Sequence, residues 1–408
     1  MSRLVAAVVP PRFGDGFRRL LASAWASDLG DGVALAAGPL LVVSQTREPF
    51  VVALATLLQR LPWLVFGLHA GVIADRLDRR LIIVVANGVR VAVLAVLATM
   101  IVTDTVTVAS ILIALTLLGS AEVFVDTTSQ TLLPMLVAKD DLGVANSRLM
   151  FGRITINRLG GPAIGALLFA AGMAVPFVLQ AVCVGFAALV VRSLVIDRPR
   201  NDDPTARRSA TEEIKQGLRW VWGHPAIRTL TLTVFAFNVT FGAVWAILVL
   251  YAKERLGLGD VGFGLLTSSG AAGGIIVALT YGRIERRLGA ATIMRIGLSI
   301  EVLMHLTFAL NTVPAIAFVV FFVFGMHEAA WGTTSTTIRQ RVVPTEFQGR
   351  VSSVNGVGVF STLILGALLG GVIASRWGVT GPYWFGFGGS LVTLIAIWRR
   401  LSAIAVAD

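Results

Sequence analysis

Gly71-Val72-Ile73-Ala74-Asp75-Arg76-Leu77-Asp78 closes one apolar run, and Gly282-Arg283-Ile284-Glu285-Arg286-Arg287-Leu288-Gly289 closes another 211 residues later. A second pair of landmarks, Gln130-Thr131-Leu132-Leu133-Pro134 and Gln340-Arg341-Val342-Val343-Pro344, repeats at an offset of 210. Two independent offsets that agree, each about half of the 408 residues, predict a duplicated unit with its two copies in the same orientation.

What is duplicated follows from composition. The chain is 56% hydrophobic and 14% charged, with a mean hydropathy of +0.81, whereas soluble domains are about 25% charged. Twelve apolar windows run from residues 20 to 44 through to 380 to 398. Each is close to the roughly 20 residues that a helix needs to cross a hydrocarbon core. The expectation is an all-α membrane protein of twelve transmembrane helices in two pseudo-symmetric six-helix bundles, residues 1–196 and 227–408, joined by a linker at 197–226. Cys183, the single cysteine, has no partner for an intrachain disulfide.

The net charge of +11 does not imply nucleic acid. One alternating set of loops holds Arg18 and Arg19, Arg76, Arg79 and Arg80, Lys139, the stretch from Arg198 to Arg219, Arg283, Arg286 and Arg287, Arg339, Arg341 and Arg350, and Arg399 and Arg400. The other set holds little beyond Arg47, Lys253, Arg255 and Arg376. That sorting is the positive-inside rule, and it places both termini and the linker in the cytoplasm of a plasma membrane, the inner membrane of a bacterium. Within the linker, Glu212 to Trp222 is expected to form an amphipathic helix at the membrane interface.

At this point the chain resembles the major facilitator superfamily. The loop Gly71-x-x-x-Asp75-Arg76-x-Asp78-Arg79-Arg80 is similar to the family signature between helices two and three, with Asp78 where the commoner pattern has glycine. Gly160-Gly161-Pro162-Ala163-Ile164-Gly165 in the fifth window resembles the signature of the antiporter branch. Gly30-Asp31-Gly32, Leu61-Pro62-Trp63, Gly217-Leu218-Arg219-Trp220 and Gly349-Arg350 are similar to the branch holding macrolide efflux proteins and the enterobactin exporter. The resemblance implies the major facilitator fold, export as the direction of transport, and a central cavity lined by helices one, four, seven and ten.

Read as physical chemistry, Gly71 lets the end of the second helix approach a neighbour. Asp75, with Arg76, Arg79 and Arg80, is expected to form a conformational latch, the acid accepting from helix-end amides while the arginines hold lipid headgroups. Gly161, Pro162 and Gly165 remove a backbone donor, bend the fifth helix and permit close packing.

A charge at mid-membrane costs roughly 2.5 to 3.5 kcal/mol and normally faces a cavity or a partner. Asp28, Asp31, Arg60, Arg90, Glu122, Asp126, Arg153, Arg158, Glu301, His305, His327 and Glu328 all fall near mid-depth. Ser23, Ser27 and Asp31 share one helix face, as do Glu122, Asp126 and Ser129, and Glu328, Gly332 and Ser335; the seventh window adds Asn238. Asp28, Asp31, Glu122, Asp126, Arg158, Asn238, His327 and Glu328 are therefore the candidates for proton coupling or the substrate cavity, with Arg60 and Arg153 as structural ion-pair candidates. Arg60 is the expected partner of Asp31, Arg158 of the fourth-helix acids, and His305, one turn away, of Glu301. Acids outnumber arginines in this layer, so at least one carboxylate is expected to lack a cation and to hold an exchangeable proton.

Four scattered histidines and one cysteine offer no metal spacing, and no cofactor is implied. The chain has no G-x-x-x-x-G-K-[ST], no G-x-S-x-G, no H-E-x-x-H and no G-x-G-x-x-G after a strand, which argues against a nucleotide-driven pump and against an integral-membrane enzyme. The reading is a secondary transporter, monomeric in the bilayer, exporting a small amphipathic molecule against inward-moving protons by alternating access. Proton-coupled import is the alternative within transport, and a non-transporting sensor the alternative outside it.

Overall fold

The computed structural model describes residues 13–138, 141–194 and 210–401. Lys139, the stretch 195–209, both chain ends and the side chains of Asp75 and Arg76 lie outside the described residues. Every regular element among those described is a helix, the longer ones being α1 Gly14–Gln45, α2 Pro49–Arg76, α3 Arg79–Val102, α4 Val108–Leu136, α5 Leu142–Ala171, α6 Val175–Arg192, α7 Ala210–Gly223, α8 Pro225–Trp245, α9 Asp260–Leu310, α10 Pro314–Val342, α11 Thr345–Trp377 and α12 Gly381–Ile397.

Ten of these helices are long and apolar enough to cross a membrane, α9 counting once. At 1.5 Å per residue its 51 residues would reach about 77 Å, more than twice a hydrocarbon core of roughly 30 Å. It breaks at Gly289, whose φ of 71° and ψ of 156° are not helical, so it supplies two crossings. With the shorter apolar helix α12, the number of crossings is about twelve. Helix α7, which spans the amphipathic stretch around Glu212 to Trp222, is separate from these.

The solvent of the helices can be read from α3. Leu81, Val85, Val89, Val96 and Val102 are exposed, while Asn87 and Arg90 are buried on the opposite face with Ile83, Leu94 and Leu97. A helix that hides its polar groups and exposes valine suits lipid and would be unstable in water.

By packing, the chain forms two compact units. One comprises Met1–Thr46, Leu58–Asp202 and Asp260–Ser268; the other comprises Arg47–Leu57, Asp203–Gly259 and Ser269–Asp408. The first turns of α2 thus belong with the second unit and those of α9 with the first. In the first unit Phe17, Leu20 and Leu21 of α1, Leu132 of α4 and Ala145 of α5 pack in one apolar cluster; in the second, Leu230 of α8, Leu298 of α9, Ile338 of α10 and Val354 of α11 form another.

Each unit also has a glycine seam where two of its helices meet backbone to backbone. A Cβ on Gly161 or Gly165 of α5 would strike the main chain of Gly32 or Val33 in α1. A Cβ on Gly366 or Gly370 of α11 would strike the main chain of Val239 or Ala243 in α8. Gly71 has no such role: a Cβ there meets no atom within 4 Å, so the close approach expected of it does not occur in this structure.

Candidate functional site

The α1–α5 seam sets the geometry of the first unit. Pro162 cannot donate to the carbonyl of Arg158 and its ring crowds that oxygen, so a strict α-helix cannot run through it. The residues ahead of it, Arg153–Gly160, relax into a π-helix, with Gly161 N–H bonded to Ile156 O. Glycines at 32, 161 and 165 then let α5 lie directly on α1. Asn157 Nδ2 donates to Asp28 O at 3.1 Å, Trp25 Nε1 donates to Arg148 O at 3.2 Å, and Gly152 leaves room for the indole.

On this support four carboxylates gather: Asp28 and Asp31 from α1, Glu122 and Asp126 from α4. Asp31 accepts from the Arg90 guanidinium of α3, from Ser27 Oγ at 3.2 Å and from Gln180 Nε2 of α6 at 3.3 Å. Arg90 is 2% exposed and also donates to Asn87 Oδ1 at 3.3 Å. Arg153, at the start of the π-helical stretch, lies 3.6 Å from Asp126 and 3.9 Å from Asp28. Glu122 differs from its neighbours. Asp31 and Asp126 act on it as like charges and Arg90 and Arg153 as opposite ones, yet among the described residues its carboxylate has no ion pair and no hydrogen bond.

Two pairings read from the sequence are replaced. Asp31 takes its cation from Arg90, not Arg60, and Arg153 rather than Arg158 reaches the fourth-helix acids. Arg60 and Arg158 are engaged elsewhere. Gln180, Asn157 and Asn87 were not singled out. Gln180 had a signal, as the one strongly polar side chain inside the apolar run of α6.

The other candidates lie in the second unit. Asn238 donates to its own helix at Val234 O, 2.7 Å. His327 is buried on α10 and bonds Glu301 of α9 rather than a cavity-facing group, while Glu328, the next residue, is exposed. His305 bonds Ser390 of α12 at 3.4 Å, so the turn-spaced Glu301–His305 pair does not form. Rings of α8 and α10 stack nearby, Phe241 on Phe324 at 5.6 Å and Trp245 on Phe321 at 6.1 Å.

At the loop motif, Asp78 explains its own departure from glycine. It is the N-cap of α3, accepting from Arg80 N at 2.9 Å and pairing with the Arg80 side chain at 3.3 Å. Arg80 also donates to Leu194 O, as Arg19 does to Ser193 O, each at 2.7 Å, so two guanidiniums cap the carbonyl end of α6.

A multi-pass helical bundle of two repeats, with paired charges buried inside and valine and leucine outside, is the architecture of a membrane transporter. The chain belongs to the transmembrane secretion effectors of the major facilitator superfamily, whose pattern matches residues 7–405. It is 25% identical to macrolide efflux protein A of Streptococcus pyogenes over 375 residues, 87% of this chain and 88% of that one. It is 26% identical to the multidrug efflux pump Tap of Mycolicibacterium fortuitum over 376 residues, 88% of this chain and 89% of that one. Among solved structures, a bacterial homologue of the iron transporter ferroportin in an inward-facing state superposes with a TM-score of 0.76 at 15% identity, covering 99% of this chain and 100% of that one. A bacterial homologue of the human lysosomal transporter Spinster, inward-facing and unoccupied, superposes with a TM-score of 0.74 at 12% identity, covering 97% of this chain and 98% of that one.

Proposed function

We propose that the chain exports a small amphipathic molecule in exchange for protons, by alternating access, with Glu122 as the exchangeable site. The observation that carries this is the unpaired Glu122 carboxylate beside three partnered acids. A half-buried carboxylate without a direct cation is costly when ionised, whereas Asp31 is committed to Arg90. Arg153 is shared between Asp28 and Asp126 at distances beyond a tight ion pair, so it is free to follow whichever acid is ionised. The functions of the two relatives, macrolide and multidrug efflux, support export and an apolar cargo, and the rings stacked at Phe241 and Trp245 suit one.

The test is efflux of a radiolabelled macrolide from proteoliposomes with and without an imposed pH gradient. Glu122→Gln is expected to abolish gradient-driven efflux while leaving downhill exchange, and gradient-driven efflux at the wild-type rate would refute the assignment. The orientation, with both termini in the cytoplasm, is tested by thiol labelling of intact cells. Gly257 has a φ of 63° and would be strained as cysteine, so Gly259→Cys, in the same loop, is the better outer probe and Thr205→Cys the inner one. Labelling of position 205 and not 259 would invert the topology.

A further inference from the structure

The second unit has its own buried titratable pair. Glu301 of α9 is 6% exposed and His327 of α10 is 4% exposed, with His327 Nε2 3.3 Å from Glu301 Oε2. The packing is shaped around the imidazoles. A Cβ on Gly297 would lie 2.5 Å from His327 Nδ1, and a Cβ on Gly386 of α12 would lie 2.8 Å from the ring of His305. His327 Nδ1 and His305 Nε2 are buried with no hydrogen-bond partner among the described residues. A pair that served only to hold α9 against α10 has no use for a vacant ring nitrogen on its far side.

From this geometry we infer that Glu301 and His327 form a second proton-binding site, in the unit that does not contain Glu122. In the empty state the Glu301 carboxylate accepts from His327 Nε2–H, and Nδ1 presents its lone pair. An incoming proton forms an N–H bond at Nδ1; the Nε2–H bond breaks and an O–H bond forms at Glu301 Oε2. The pair passes from a net charge of −1 to zero, and release reverses each bond. Burial favours the neutral form, so release requires water or a countercharge to reach the pair.

The other ionisable groups around it are few. Glu328 on α10, the residue after His327, is exposed, and His305 lies one turn along α9. Helix α12 contributes Ser390 and the buried Tyr383 but no charged side chain. In α8 the one charged residue is Arg228, which donates to Trp222 O at 3.2 Å. Under the exchange reading above, one site in each unit means that a transport cycle moves more than one proton; binding at the pair does not itself depend on that reading.

The experiment needs no cargo. Infrared difference spectra of the purified protein in lipid, recorded between acidic and alkaline pH, report each carboxyl that gains a proton. Two carboxyl components are expected. Glu122→Gln should remove one and Glu301→Gln the other, and His327→Gln should move the titration midpoint of the second, which a purely structural contact would not do. If the Glu301→Gln and His327→Gln spectra superimpose on that of the wild type, the second site does not exist. If Glu122→Gln alone leaves the spectrum unchanged, the reading of the first unit fails and this one stands. Should Glu301→Gln not fold, the His327→Gln midpoint decides by itself.

Discussion

The third helix of the first repeat buries a guanidinium at Arg90, and 211 residues later the corresponding position buries a carboxylate, Glu301. The two units share a scaffold and differ in charge. Both have an α-helical seam of glycines four residues apart, Gly161 and Gly165 in one, Gly366 and Gly370 in the other, each pressed against the backbone of the unit's first helix. In the first unit the buried cation is neutralised by Asp31 and surrounded by further acids. In the second the buried acid meets, among the described residues, a histidine, which can be neutral. The seam is therefore the inherited architecture, and the charge content is where the halves have specialised.

The largest effect expected from this difference concerns the pairs themselves. Asp31→Asn removes the direct ion-pair partner of the buried Arg90 guanidinium and should cost about 3 to 5 kcal/mol. Glu301→Gln keeps a hydrogen bond to a neutral imidazole and should cost about 1 kcal/mol. Unfolding of the two variants in the same detergent measures both, and equal losses would show that the second unit holds a true ion pair.

Next come the seams. Gly165→Ala and Gly370→Ala each force a methyl group into main-chain atoms, and each is expected to cost about 1 to 3 kcal/mol. If one is tolerated and the other is not, the seams are not equivalent and the architectural half of the comparison breaks. Gly71→Ala is the control, since a Cβ there meets open space, and its effect should stay within about 0.5 kcal/mol.

The smallest effect separates topology from capping at the loop motif. Asp78→Ala should lose about 1 kcal/mol as the α3 N-cap goes, and Asp78→Gly only a few tenths. The second repeat ends its motif in Gly289, whose positive φ a side chain resists, so Gly289→Asp should be the more damaging exchange. Thermal shift in detergent orders the three.

These residues also show what the sequence made legible. Hydropathy and the two offsets are enough for the helices and the fold class, because depth in a membrane is written along the chain. Partnership is not. Arg60 and Arg90 both fall near mid-depth, and choosing between them for Asp31 requires knowing which helix turns which face to α1, a matter of azimuth that no single window contains. The same limit misassigned Glu301, whose nearest histidine along the helix is His305 but whose bonding partner is His327 on the neighbouring helix. The Gly-Pro signature in α5 predicted a bend, and the structure resolves it as a widened turn, because the donor lost at Pro162 is accommodated by re-registering the hydrogen bonds rather than by opening them.

That widened turn has a consequence for how the protein can change. A π-helical stretch holds one residue more than an α-helix of the same span, so it acts as a phase shifter between the two halves of α5. Arg153 on one side and Gly161 on the other are aligned, respectively, with the acids and with the seam only because of the surplus. Were the same residues wound as an uninterrupted α-helix, the halves would be rotated against each other by about 100°. The seam could still close, but the guanidinium would swing away from Asp28 and Asp126. In a helix otherwise built for tight packing, one surplus residue thus keeps the charge network in phase with the scaffold.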